Sequence, residues 1–151
     1  MDDLRDLYQA TILDHNKKPR NFRVLEDATH EADGHNPLCG DQLTVYARVG
    51  EDGRIEEITF KGSGCAISKA SASLMTEALE GRTLEEAHAA FDRFHDLVTS
   101  SPSAEAPIEE LGKLAVFAGV REYPMRVKCA TLAWHALRSA LESEGETVRT
   151  E

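Results

Sequence analysis

The chain contains three cysteines, and each one stands where one predicted element gives way to another. Cys39 comes just before the first clear strand, Cys65 lies at the start of a helix, and Cys129 lies early in a later helix. A helix N-terminus carries unpaired N–H groups and about half a positive charge, which lower the pKa of a nearby thiol. Thiolates bind soft metal ions and attack sulfur, so this placement favours metal binding or sulfur chemistry.

Glycines flank two of these cysteines. Gly40 follows Cys39, and Gly62 and Gly64 precede Cys65. Because glycine has no Cβ, it allows the backbone to bend sharply or to approach a ligand closely. The glycines therefore predict tight backbone turns beside a bound group.

One carboxylate extends the candidate ligand set, since Asp41 follows Cys39 at an interval of two residues. Three thiolates and one carboxylate can satisfy a tetrahedral zinc or iron centre. His35 is a rival fourth ligand, although a lone histidine in a polar loop is more often solvated. The spacing matches no zinc-finger pattern, and any single cysteine is more often a small buried hydrophobe. Asp41 could equally be a turn carboxylate that accepts a backbone hydrogen bond.

A divalent ion held by three thiolates and a carboxylate is formally doubly negative, so it needs positive charge nearby. Arg126 and Lys128 stand beside Cys129 and are candidates for this role. The alternative is that two solvated cations lie on an exposed helical turn.

Composition limits the remaining possibilities. A chain of 151 residues with 41% hydrophobic residues suits one domain over residues 1–151. The net charge of -10 argues against nucleic-acid binding, which usually needs a basic face. With no apolar run long enough for a membrane helix and no secretory pattern at the start, we expect no membrane partner and a cytoplasmic location. In that reducing compartment an odd number of cysteines makes a disulfide framework improbable.

The first half of the chain predicts one helix followed by strands. An apolar stripe over residues 4–12 indicates the helix, and a short strand is expected at 28–32 before a loop at 34–37. Strict alternation over 43–49 indicates a half-buried strand, and residues 50–53 form a hairpin loop to an antiparallel return strand. The return strand changes phase at Glu56 and Glu57, which predicts a bulge.

The second half predicts four helices. The first follows Cys65 and ends at Gly81, and the second begins at Thr83, with Glu86 completing a capping box. A loop is expected at 99–107, then a shorter helix at 108–118 that ends at Gly119. The last helix begins near Pro124, and residues 143–151 are expected to form a frayed tail.

Three segments, taken in order, resemble the IscU/NifU-N superfamily of iron–sulfur cluster assembly proteins, with SufU as the most similar branch. The resemblance covers nearly the whole chain. The segments are Gly34-His35-Asn36-Pro37-Leu38-Cys39-Gly40-Asp41, Phe60-Lys61-Gly62-Ser63-Gly64-Cys65-Ala66-Ile67-Ser68 and Arg126-Val127-Lys128-Cys129-Ala130-Thr131-Leu132-Ala133-Trp134.

The resemblance implies an α+β fold, in which a small antiparallel sheet of about three strands packs against helices, with a metal site at one end. When the metal ligands of the family are transferred to the matching motif positions, the resemblance implies four ligands here: Cys39, Asp41, Cys65 and Cys129. Lys128 departs from IscU proteins, which carry a histidine immediately before the third cysteine, and IscU proteins also lack most of the segment over 81–111. Both departures point to SufU.

A SufU-type protein resembles a zinc-dependent sulfur acceptor for a PLP-containing cysteine desulfurase of the SufS kind. It would be a persulfide carrier of the sulfurtransferase type rather than an ordinary turnover enzyme, and it would pass sulfur toward a SufBCD-like scaffold. The resemblance favours Cys39 as the catalytic thiol that leaves Zn2+. Two alternatives stay open: an IscU-like scaffold that builds a 2Fe-2S cluster with iron, and a zinc-stabilised adaptor without sulfur chemistry.

Overall fold

The computed structural model describes residues 2–37, 39–101, 112–142 and 148–149. Within these ranges the chain forms four α-helices, one 3-10 helix and four strands. In chain order they are α1 (Asp2–Lys17), β1 (His30–Asn36), β2 (Asp41–Val49), β3 (Ile55–Ser63), α2 (Ala66–Leu79), α3 (Leu84–Thr99), the 3-10 helix (Gly112–Glu122), α4 (Pro124–Leu141) and β4 (Val148–Arg149).

The strands form one sheet in the order β3-β2-β1-β4. β1 pairs antiparallel with β2, from His30 opposite Ala47 to Asn36 opposite Asp41, and β2 pairs antiparallel with β3. β4 adds two residues in parallel to β1. The predicted α+β class and its three-stranded antiparallel sheet are therefore confirmed.

The start of the sheet differs from the prediction. The strand expected at 28–32 runs instead over His30–Asn36, so the loop expected at 34–37 is mostly strand. Two contacts explain this difference. Gly34 and His35 pair with β2, and a Cβ added at Gly34 would lie 3.0 Å from Cδ1 of Leu132, so the glycine lets α4 pack closely against β1.

The predicted bulge is confirmed. Arg48 lies opposite Glu57 and Val49 lies opposite Ile55, which leaves Glu56 as the extra residue on β3. In a regular strand, side chains three positions apart lie on opposite faces. The extra residue changes this, so that Ile55 and Ile58 are both buried in the core.

One face of the sheet carries the core. On β2 the buried positions alternate, and Asp41 shares the inner face with Leu43, Val45 and Ala47. Helix α4 packs against β1 and β2, while α2 packs against β3. Behind them the Trp134 ring stacks on Phe94, with ring centroids 4.5 Å apart. Asp41 is thus a carboxylate at one end of a mostly apolar face.

The helix termini follow the predicted signals in most places. Helix α2 ends at Leu79 before Gly81, and α3 begins after Thr83 with both hydrogen bonds of the capping box present. Helix α1 ends at Lys17, and α4 begins at Pro124. None of the described helices is long and apolar enough to cross a membrane.

The helix expected at 108–118 is a 3-10 helix over Gly112–Glu122, and Gly119 does not end it. Leu114, Phe117 and Val120 are all buried at intervals of three residues, which matches three residues per turn. This spacing carries the segment through Gly119. The predicted start at 108–111 lies outside the described residues, as does the loop beyond Ser101.

The tail is described only in part. Val148 and Arg149 pair with Gly34 and His35 of β1, so fraying is the wrong expectation for these two residues. The rest of 143–151 lies outside the described residues.

Candidate metal centre

The hairpin between β1 and β2 positions the first predicted ligand. Asn36 opposite Asp41 is the last pair of this ladder, and Cys39 lies in the loop that closes it. The backbone N–H of Cys39 donates to the carbonyl oxygen of Asn36 at 3.3 Å, and Gly40 adopts a φ of 71°. A left-handed backbone favours glycine, which explains the residue after Cys39. The Cys39 side chain is half-buried, so it faces both the site and the surface.

Cys65 is the N-cap of α2, as predicted from the sequence. Its backbone is extended, and its Sγ accepts a hydrogen bond from the backbone N–H of Ser68 at 3.5 Å. The sulfur therefore lies at the positive end of the helix dipole, which stabilises a thiolate.

Asp41 connects β2 with the start of α2. Its side chain is fully buried, and Oδ1 accepts a hydrogen bond from the backbone N–H of Cys65 at 2.8 Å. Oδ2 lies 3.8 Å from Cys65 Sγ. A Cβ added at Gly64 would lie 2.6 Å from Oδ1, so only glycine leaves room for this carboxylate.

Cys129 brings α4 into the same site. Its side chain is buried, and its Sγ lies 3.1 Å from Cys39 Sγ. One ligand atom each from Cys39, Asp41 and Cys129 all lie within 4.8 Å of one another. Cys65 stands just outside this trio and contacts it through Asp41. The structure thus brings together all four residues predicted from the sequence.

The trio of Cys39, Asp41 and Cys129 could hold one metal ion. Zn–S bonds of about 2.3 Å in a tetrahedron place two sulfurs about 3.8 Å apart. The trio spans distances on that scale, and its 3.1 Å sulfur pair would need to open only slightly. Soft sulfur donors with one carboxylate suit zinc or iron. That these four residues bind a metal stays a prediction.

In the metal-free protein, the pKa values of Cys65 and Cys129 shift in opposite directions. The neighbouring Cys129 thiol is the main cause that lowers the pKa of Cys65 to about 7. The N–H of Ser68 lowers this pKa further, while burial opposes both. The Cys65 thiol, followed by burial and then Cys39, raises the pKa of Cys129. Cys65 is therefore the first of this pair to become a thiolate.

The two predicted cations are less closely engaged. The Arg126 guanidinium lies over the Tyr123 ring, 4.7 Å from its centroid, and its side chain is exposed. Lys128 is half-buried. Over the described ranges no ion pair joins either residue to Asp41. Charge balance by these residues stays a prediction.

His35 does not join the candidate ligands. In β1 the buried positions are Ala32, Gly34 and Asn36, so His35 lies on the opposite face of the sheet. The rival fourth ligand considered from the sequence is therefore not brought to the site.

Sequence reasoning missed Asn36. Its side chain is fully buried, and Nδ2 lies 3.6 Å from Cys129 Sγ. The sequence predicts a loop at this position, where an asparagine is normally exposed. The signal that reveals it is the strand register, because Asn36 opposite Asp41 places both side chains on the inner face.

Comparison with known proteins adds independent information. The family model for the NifU-like N terminal domain matches residues 7–142. An iron–sulfur cluster assembly scaffold protein IscU of Streptococcus pyogenes serotype M1 is 42% identical over 140 residues, covering 92% of this chain and 85% of that protein. The zinc-dependent sulfurtransferase SufU of Bacillus subtilis strain 168 is 38% identical over 141 residues, covering 93% of each chain.

A solved structure has the same fold. It is a proposed iron–sulfur cluster assembly scaffold protein for the SUF system from Fervidobacterium islandicum AW-1, with a TM-score of 0.79 and 34% identity. The match covers 87% of this chain and 93% of that one. The family model matches most of the chain, and both relatives match it over most of their own length. This chain therefore belongs to the NifU-like N-terminal domain family, within the IscU/NifU-N superfamily.

Proposed function

We propose that this protein serves iron–sulfur cluster assembly as a zinc-dependent sulfur acceptor. It would take persulfide sulfur from a PLP-dependent cysteine desulfurase of the SufS type and pass it toward a SufBCD-like scaffold. The 38% identity to a protein named as a zinc-dependent sulfurtransferase supports this proposal. Lys128 before the third cysteine and helix α3 within the segment over 81–111 are the SufU-like features implied by the resemblance.

The observation that carries the proposal is the unequal placement of the ligands. Asp41 and Cys129 are buried and belong to regular elements, whereas Cys39 is half-buried in a hairpin loop. A loop thiol can swing outward at little backbone cost, but a thiol inside a helix cannot. Cys65 is also half-buried, but its N–H donates to Asp41 and its Sγ accepts from the Ser68 N–H, so it is held at the start of α2. Cys39 is thus the ligand that can leave the site and meet another protein.

The proposed transfer balances without a redox partner. The Cys39 thiolate attacks the outer sulfur of the desulfurase persulfide, forming a new S–S bond. The original S–S bond breaks, and the desulfurase cysteine leaves as a thiolate. Cys39 then carries the persulfide and its proton. Bound zinc would keep the four donors deprotonated and the loops fixed before the transfer.

The assigned residues have distinct roles in this proposal. Asp41, Cys65 and Cys129 hold the zinc, while Cys39 is both ligand and catalytic thiol. Arg126 and Lys128 help to hold anionic sulfur. The protein would act as a single domain in the cytoplasm, where reducing conditions keep cysteines free.

A scaffold role is the second candidate, and it is supported by the 42% identity to a protein named as an IscU scaffold. It predicts that anaerobic reconstitution with iron and sulfide yields a stable 2Fe-2S chromophore, which can be passed to an apo-ferredoxin. A third candidate, a zinc-stabilised adaptor, predicts no sulfur on this chain at all.

The experiment that separates these roles measures cysteine turnover by a SufS-type desulfurase with and without the zinc-loaded protein. We expect faster turnover with the wild type and none of this stimulation with Cys39→Ala. If Cys39→Ala stimulates turnover as strongly as the wild type, the acceptor role is contradicted and the adaptor is favoured.

A further inference from the structure

Asn36 contacts two of the candidate metal ligands, Cys39 and Cys129. We propose that it is a positioning residue, which holds Cys129 on the metal so that Cys39 is the thiol that leaves. This inference deepens the proposed function and rests on it.

Among the described contacts, the side chain of Asn36 meets one cysteine, Cys129. It is fully buried at the end of β1, and its Nδ2 lies 3.6 Å from Cys129 Sγ. An amide N–H directed at a thiolate gives a charge-assisted hydrogen bond, which stabilises the charge on sulfur and weakens its nucleophilicity. Cys129 receives this contact.

The backbone of Asn36 contacts the other cysteine. Its carbonyl oxygen accepts the hydrogen bond from Cys39 N–H, which sets the start of the loop. The side chain of Cys39 has its Sγ near Cys129, and no donor like the Asn36 amide is found for it among the described residues. The two sulfurs therefore differ in hydrogen bonding although they lie 3.1 Å apart.

Fold stability alone does not account for this asparagine. Its Oδ1 is buried and has no hydrogen-bond partner within the described part of the chain. A buried amide oxygen without a partner is unfavourable, and an apolar side chain of similar size would avoid that cost. The remaining polar contact of the side chain is the one with Cys129, so the amide is best explained by the metal site.

The test uses two substitutions of similar shape. Asn36→Leu removes the donor, and Asn36→Asp replaces the amide with a carboxylate that repels thiolates. Thr59→Val is the matched control. Thr59 lies on β3 opposite Tyr46, is also fully buried, and has a side-chain oxygen with no partner among the residues that the structure describes. Zinc affinity is measured by competition with a chelator. We expect about 10- to 100-fold weaker binding for both Asn36 variants and wild-type affinity for Thr59→Val.

A second readout reports on the individual thiols. Zinc-loaded protein is treated with iodoacetamide, and the modified cysteines are identified by peptide mass mapping. We expect Cys39 to react first in the wild type and Cys129 to react faster in Asn36→Leu. Wild-type affinity together with an unchanged order of modification in Asn36→Leu would overturn the proposal.

The proposal can be tested even if both variants fail to fold. In wild-type protein loaded with cadmium-113, a hydrogen bond to a metal-bound sulfur transmits scalar coupling from the metal to the donor proton. We expect coupling to the side-chain amide of Asn36, and its absence would contradict the proposal. Sulfur transfer to the wild type is scored separately, so a protein that shows these metal signatures but accepts no sulfur contradicts the proposed function instead.

Discussion

Asp41 and Cys65 are joined by two contacts, a 2.8 Å hydrogen bond from the Cys65 backbone to Oδ1 and a 3.8 Å approach of Cys65 Sγ to Oδ2. The carboxylate thus links the first residue of β2 to the N-cap of α2. This relationship gives Asp41 a structural role besides its proposed role as a metal ligand.

Replacing Asp41 with alanine should therefore destabilise the metal-free protein. The Cys65 N–H would lose its acceptor at a half-buried position. A donor left without a partner away from water costs about 1–3 kcal/mol of unfolding free energy. Asp41→Asn keeps an acceptor oxygen and should cost less. Urea denaturation with EDTA present measures the difference. The control is Asp33→Ala, since Asp33 is exposed and accepts only from Thr44 Oγ1 in the described contacts. Equal losses for Asp41→Ala and Asp33→Ala would contradict the structural role.

Gly64→Ala should weaken metal binding. A Cβ there would lie 2.6 Å from Asp41 Oδ1, so the carboxylate must move. We expect at least about tenfold weaker zinc affinity, the size of effect found when a ligand loses its support. Gly119→Ala is the control, because a Cβ at Gly119 would meet no atom within 4 Å. Chelator competition measures both variants, and normal affinity in Gly64→Ala would show that Asp41 is not held as described.

The stability of the metal-free protein should depend on pH through its thiols. The pKa of Cys65 is lowered from 9.0 to about 7, so its contribution to stability is present above 9 and is lost as the pH falls through 7. The pKa of Cys129 is raised, so its contribution is present below 9 and is lost as the pH rises. Unfolding free energy should thus rise between pH 7 and 9 and fall at higher pH.

Urea denaturation across this pH range measures the profile. Cys65→Ser should remove the rise because a serine hydroxyl does not ionise there. A rise of the same size in Cys65→Ser would assign it to another group.

The capping box of α3 should stabilise the fold without supporting the metal. Thr83 Oγ1 accepts from the Glu86 N–H, and the Glu86 carboxylate accepts from the Thr83 N–H, both at 3.1 Å. Thr83→Ala should cost about 1 kcal/mol of unfolding free energy. Thermal denaturation measures the loss, while zinc affinity should stay at the wild-type value. Loss of zinc in Thr83→Ala would show that α3 supports the site.

Local signals in the sequence predicted the elements around the site well. The N-cap position of Cys65, the capping box at Thr83 and the bulge at Glu56 each depend on a few neighbouring residues. Such features can be read from a short window, because the atoms that satisfy one another are close in sequence.

Features that depend on distant partners were harder to predict. Asn36 joins a strand because β2 extends its pairing, and the 3-10 helix continues through Gly119 because Val120 reaches the core. Cys39 and Cys129 are 90 residues apart, and the residues around them in the sequence do not predict that they come into contact. For this last feature the ordered motifs and their resemblance to a family supplied the expectation.

The central claim is that Cys39 accepts the sulfur, and peptide mass mapping tests it most directly. The zinc-loaded protein is incubated with a SufS-type desulfurase and cysteine, trapped with an alkylating reagent and digested. We predict one added sulfur atom on Cys39 in the wild type. Cys39→Ala should retain some zinc and carry no added sulfur, whereas Cys65→Ala and Cys129→Ala should lose zinc and stability. Added sulfur on Cys65 or Cys129, or normal sulfur acceptance by Cys39→Ala, would contradict the claim.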